Sequence, residues 1–154
     1  MIKVLTLCII HQGHQVLLGM KKRGFGQGRW NGFGGKVHEG ESIEEAMKRE
    51  LKEEAGIVLN SYEKKGVIDF EFQGEAQILE VHVFKGSEFE GEPVETEEMK
   101  PQWFAIGDIP FDQMWVDDKY WLPSVLEGKN FKAKFLFADE DTLIDHTIEW
   151  KQPE

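Results

Sequence analysis

GKVHEGESIEEAMKRELKEEAGI, residues 35 to 57, decides how this chain is read. Ser42 with Glu45 three residues on forms a capping box, and Gly56 stands where a helix end calls for a left-handed residue. A helix is therefore expected from Ser42 to about Gly56. Ile43, Ala46, Met47 and Leu51 recur at helical spacing and predict the face turned to the core. At about 100° per residue, Glu50 and Glu54 fall inside that apolar stripe and Glu53 at its edge. Glu44, Glu45, Lys48 and Lys52 point to water.

A glutamate-rich helix is ordinarily a solvated face, which accounts for Glu44 and Glu45. It does not account for Glu50 and Glu54, because a carboxylate on a core-facing stripe is costly unless it is paired or binds metal. Three acids at i, i+3 and i+4 repel one another and predict a shared cation. Hard oxygen ligands suit Mg2+, with Mn2+ as a substitute, rather than zinc. Arg49 is placed to pair with one of the glutamates and orient it. Backbone carbonyls of the neighbouring Gly34–Gly35 loop are further candidate ligands.

Upstream lies KKRGFGQGRWNGFGGK, residues 21 to 36, with six glycines and five cations. A flexible basic loop is the plain alternative. The interleaved Phe25, Trp30, Asn31 and Phe33 argue for a ligand loop instead. Glycines such as Gly34 and Gly35 let the backbone approach a ligand, and successive amides form anion-binding nests. Lys21 and Lys36 are candidates to meet phosphate charge.

A chain of 154 residues suggests one domain, read as 1–154, with a core that needs no staples. It has no apolar run of about 18 residues or more, so no membrane span is expected. No secretory or transit signal is visible at the N-terminus, and the lone Cys8 rules out an internal disulfide. A cytoplasmic monomer is expected, with nuclear and mitochondrial pools left open. The net charge of −11 argues against a polynucleotide partner, which needs a basic footprint. A free nucleotide is anionic too, so metal and a local basic patch must offset the repulsion.

Strands are expected at 2–10, 15–20, 66–73, 77–84, 102–106, 131–137 and 142–150, with a second helix from about Asp118 to Leu126. Residues 87–98 read as an acidic loop. The sum is α+β, a mixed sheet sandwiched between helices.

Gly35, Glu41, Arg49-Glu50-Leu51, Glu53-Glu54 and Gly56-Ile57 match every fixed position of G-x5-E-x7-R-E-U-x-E-E-x-G-U, with U aliphatic. In this the chain resembles the Nudix hydrolases. The resemblance implies an α/β/α sandwich and a loop–helix–loop that binds Mg2+ and hydrolyses nucleoside diphosphate derivatives. It implies Glu50, Glu53 and Glu54 as ligands and adds Glu98 from the acidic loop. One glutamate takes a proton from water. Glu53 is favoured, though base and ligand are not separable from sequence.

VLLGMKKRGFGQGRWNGFGGKV at 16–37, FEF at 70–72, VHVF at 81–84, EEM at 97–99 and FDQMWVDDKYW at 111–121 resemble one Nudix branch. That branch, the MutT-homologue 8-oxo-dGTP diphosphatases, acts on oxidised purine nucleoside triphosphates. The likeness runs from about Leu5 to Asp145. It implies that Asn31 and the pair Asp117–Asp118 read the purine and that Trp115 stacks on it. Thr6, Lys21, Phe70, Phe72, Trp121 and Phe137 complete the pocket. Leu79 departs from the methionine usual under the base, so the ranking of purines is open. Two close carboxyls in an apolar pocket retain a proton between them and so both donate and accept. For Asp117–Asp118 the competing reading is a helix N-cap with a first-turn acid. At the level of function the rivals are a Nudix enzyme for ADP-ribose or dinucleoside polyphosphates, and a non-catalytic nucleotide binder.

Overall fold

The computed structural model describes residues 1–151, so the last three residues of the expected domain lie outside the description. One eight-stranded mixed sheet runs through the molecule with a helix on each face. Its strands are β1 (Ile2–Gln12), β2 (Gln15–Lys21), β3 (Trp30–Asn31), β4 (Val58–Phe72), β5 (Ile78–Glu90), β6 (Met99–Ala105), β7 (Asn130–Asp139) and β8 (Thr142–Lys151). They lie in the order β3-β2-β1-β5-β4-β7-β8, with β6 on the other edge of β2. The pairs β1–β5 and β4–β7 are parallel. The remaining pairs are antiparallel.

Helix α1 (Ile43–Ala55) is capped as its sequence demands. Ser42 Oγ accepts the Glu45 N–H, the Glu45 carboxylate accepts the Ser42 N–H, and Gly56 closes the helix at φ 74°. Its apolar stripe buries Met47 and Leu51 against Cys8, Ile10, Leu17 and Phe84, and Ala46 is buried as well. Helix α2 (Asp118–Leu126) covers the opposite face, where Trp121, Leu122 and Val125 pack on Ile68, Val83, Phe131 and Phe135. Pro123 stands sixth in α2, inside the helix. Among the described residues no helix is long and apolar enough to cross a membrane.

Two strands run longer than alternation predicts. β4 begins at Val58 rather than Gly66, and β5 continues to Glu90, so the acidic stretch opens as strand. The extra pairing passes through register shifts between Leu59 and Gly66. Such shifts break strict alternation, which is what hides a strand from a period-2 reading.

β2 parts from β1 after Leu17, its last partner in the hairpin. The glycine loop fills the gap, with bridges Cys8–Phe33 and Leu5–Lys36. This loop runs beside β1 along the rim of the site.

Candidate active site

A cavity of about 720 Å3 opens on the α2 side of the sheet. Three adjacent strands floor it with aligned pairs: Leu5 and Leu7 of β1, Val81 and Leu79 of β5, Phe70 and Phe72 of β4. Phe70 stacks on Phe135 and Phe72 on Phe137, so the floor rests on a second aromatic layer.

At one end, Asn31, Trp115, Asp117 and Asp118 face the cavity. Asp117 occupies the N-cap position of α2, but its side chain caps nothing. Its Oδ2 accepts the Trp121 indole N–H at 2.8 Å instead. The capping bond of the competing reading is therefore absent, although Asp118 does stand in the first turn of α2. Burial pushes the Asp117 pKa up to about 6. Burial first, and then the charge of Asp117, push Asp118 well above the carboxylate range. Asp118 Oδ2 has no hydrogen-bond partner among the described residues. A buried polar atom aimed into a cavity without a partner is ready for a ligand.

At the other end lie Lys21, Gly34, Gly35 and Glu54. A side chain on Gly34 would meet the Thr6 carbonyl oxygen at 1.8 Å, and one on Gly35 would meet the Glu50 carboxylate at 2.7 Å. Only bare backbone fits between β1 and the helix acids. The Gly34 N–H donates to Glu54 Oε1 at 2.7 Å, and the Gly35 carbonyl accepts the Thr6 N–H at 2.9 Å. Glu54 is 3% exposed, and desolvation raises its pKa to about 8, with the charges of Glu50 and Glu98 adding.

Arg49 organises the helix acids. It grips Glu41 through Nε at 2.6 Å and Nη2 at 3.0 Å, and it donates to Glu50 at 2.9 Å, Glu53 at 3.3 Å and the Lys36 carbonyl at 3.0 Å. The Glu41 pKa falls to about 2 under the Arg49 hydrogen bonds. Glu98 is paired with Arg23, and Thr96 ties the acidic loop to the Glu54 carbonyl.

Of the expected residues, Thr6, Lys21, Asn31, Gly34, Gly35, Glu54, Phe70, Phe72, Leu79, Trp115, Asp117 and Asp118 line one cavity. Eight others do not line it, among them Arg49, Glu50 and Glu98, whose partners are given above. Phe33 is buried under α1, because its bridge to Cys8 turns it to that face. Lys36 is exposed and gives only its carbonyl, to Arg49. Trp121 and Phe137 stand behind the wall and hold Asp117 and Phe72. Glu53 does not turn inward: its side chain is 56% exposed, held by Arg49 at the stripe's edge.

Sequence reasoning noted Phe25 only as one of the loop aromatics, without placing it at the site, and passed over Arg29. Phe25 is 60% exposed yet lines the cavity, with its ring 5.0 Å from Trp115. An exposed aromatic among glycines was the available signal. Arg29 lies over the Trp115 ring, a contact no local pattern announces.

A family model of the NUDIX domain matches residues 1–125. The chain belongs to the Nudix hydrolase family. It is 52% identical over 147 residues to the oxidized purine nucleoside triphosphate hydrolase of Danio rerio, covering 96% of this chain and 94% of that one. With the Mus musculus protein of the same name it shares 50% over 146 residues, 95% and 94% covered. The crystal structure of MutT from Bacillus halodurans superposes with a TM-score of 0.85 at 30% identity, covering 96% of this chain and 97% of that chain. The expected α/β/α arrangement is the Nudix fold.

Nudix hydrolases use divalent metal ions and act on small nucleotides. Among the described residues no three acids, imidazoles or thiols of this Nudix chain already converge as a metal cage. Arg49 holds Glu50 and Glu53, Gly34 holds Glu54, and Arg23 holds Glu98. The donor set still suits a hard cation. It is all carboxylate oxygen, and Glu54 is a buried acid whose ionisation a nearby cation would favour.

Proposed function

We propose that this chain hydrolyses oxidised purine nucleoside triphosphates, such as 8-oxo-dGTP and 2-hydroxy-dATP, to the monophosphate and pyrophosphate. Such an activity keeps damaged nucleotides out of DNA. One observation carries the reading: Asn31 and the buried pair Asp117–Asp118 share a single cavity with Gly34 and Glu54. One end is equipped to read a base edge, the other to hold a charged phosphate chain. Identity of 50–52% over nearly the full length of two enzymes named for this activity supports it.

Asn31 offers donor and acceptor to a purine edge. The aspartate pair, keeping one proton, donates as well as accepts, which suits either an oxidised guanine or an oxidised adenine. Trp115 and Phe25 stack on the ring without choosing among bases. Glu50, Glu54 and, on rotation, Glu53 and Glu98 would hold Mg2+, with the Gly34 carbonyl. Bound Mg2+ neutralises phosphate charge and activates the attacking water. Water adds to phosphorus, its proton passes to a carboxylate (Glu53 is favoured), and the bond to the departing pyrophosphate breaks. Arg49 keeps the acids apart and aimed, and Lys21 meets the phosphates. We read residues 1–154 as one domain, a monomer of the cytoplasm.

Nucleoside monophosphate formation from 8-oxo-dGTP, 2-hydroxy-dATP, methylated purine triphosphates, dGTP and ADP-ribose tests the proposal in competition, with pyrophosphate as the second product expected of the triphosphates. The oxidised purines should lead. Inert oxidised purines beside fast ADP-ribose cleavage would overturn it. Glu54→Gln should lower turnover by at least about a hundredfold while nucleotide binding stays measurable.

A further inference from the structure

We propose that Arg29 is the positioning and specificity-determining residue of the base pocket, backing Trp115 and bracing that wall against the turn between β7 and β8. The inference rests on the oxidised-purine reading of the site given above.

The guanidinium carbon lies 4.4 Å from the Trp115 ring centroid. Nη1 donates to the Met114 carbonyl at 3.4 Å. Nη2 donates to the Asp141 carboxylate at 2.7 Å and to the Glu140 carbonyl at 3.4 Å. The backbone of Arg29 is fixed as well, its carbonyl accepting from Lys21 and its N–H donating to Gly26, both at 3.1 Å. A rigid planar fork of donors is suited to joining segments in this way. The three segments joined are the glycine loop with Asn31, the stretch carrying Trp115 and the aspartate pair, and the β7–β8 turn. All three line the cavity, and Arg29 itself does not. The cation thus meets the indole from outside the cavity lining.

A solvated loop arginine paired with a surface acid would be mobile and would contribute little. This side chain is only 19% exposed, whereas its partner Asp141 is 84% exposed. It is held by the wall it supports rather than by that ion pair.

The charge acts too. The groups that bear on Asp117 and Asp118 are each other, the Trp121 indole from within α2, and Arg29 from the glycine loop. Arg29 lowers both carboxyls and so opposes the burial that keeps their proton. One residue thus holds the ring in place and trims the pH range, set mainly by burial, over which the pair both donates and accepts.

The test compares kcat and KM for 8-oxo-dGTP and dGTP, from about pH 5 to about pH 9, in the wild type, Arg29→Met and Arg29→Lys. Arg29→Met should raise KM for 8-oxo-dGTP about tenfold, with the smaller part of the loss in kcat. The preference for the oxidised base should fall with it. The limb of kcat/KM that reports the pair should move to higher pH, because a carboxyl stabiliser has gone. Arg29→Lys should restore the limb, since it keeps the charge, but not KM, since it lacks the fork. If the wild type prefers 8-oxo-dGTP while both variants keep that preference and an unmoved limb, the positioning role is wrong, whatever happens to their melting temperatures. If the wild type shows no preference for the oxidised base, the reading of the pocket and this inference fall together.

Discussion

Gly34 admits no side chain, since a methyl there would sit 1.8 Å from the Thr6 carbonyl oxygen. Gly34→Ala should therefore cost about 1–3 kcal/mol by overpacking and displace the N–H that holds Glu54. Thermal unfolding and a hydrolysis assay should show both losses together. The aspartate pair makes a pH prediction. Asp117 has its carboxyl raised from 3.8 to about 6, and Asp118 is raised further. The folded state binds more protons than the unfolded chain above pH about 4, so stability contributed by the pair is complete below that and is lost as pH rises through about 6 and beyond. Asp118→Asn should flatten that decline in a denaturation series. It should also unbalance activity on oxidised guanine against oxidised adenine, and equal retention of both would sink the shared-proton idea. At this scale the sequence told which residue types would serve but not always where they would point. Phe33 and Lys36 sit in the right loop, yet pairing with β1 turns one inward under α1 and leaves the other in solvent.

Helix α1 was readable residue by residue because its signals are local: a cap box, a period and a terminal glycine. Ser42→Ala should cost about 1 kcal/mol. Gly56→Ala should cost about as much, since φ is 74° and the added Cβ would press Val94. Additivity of the two in a denaturant titration would show that they act on opposite ends of one element. Strand β4 was half hidden. Its first residues, Val58 to Lys65, are mostly polar and alternate poorly, and what makes them strand is the partner strand β5. Long-range pairing leaves no local trace. Helix α2 shows a related gap, since only the fold shows Asp117 spending its carboxylate on Trp121 instead of its own backbone.

Across the whole molecule, a net charge of −11 meets an anionic substrate. Raising the ionic strength from about 0.01 M to about 0.15 M shortens the screening length from about 30 Å to about 8 Å. At fixed free Mg2+, KM for the nucleotide should fall as salt rises. A rise would mean that Lys21 and the loop cations govern approach. The sheet order carries a consequence of another kind. Ile2 lies beside Ile78 and Ile10 beside Gly86, so the first strand is completed only by the fifth. On a ribosome adding about 5–20 residues per second, that strand waits roughly 4 to 15 seconds for its neighbour. Through that interval only β2, the glycine loop and α1 are there to cover the strand, and Leu5 and Leu7 lack Val81 and Val83 beside them. A nascent chain of this protein is thus sticky at its leading end for about half of its birth, and the cavity floor closes only once Leu79 and Val81 have emerged.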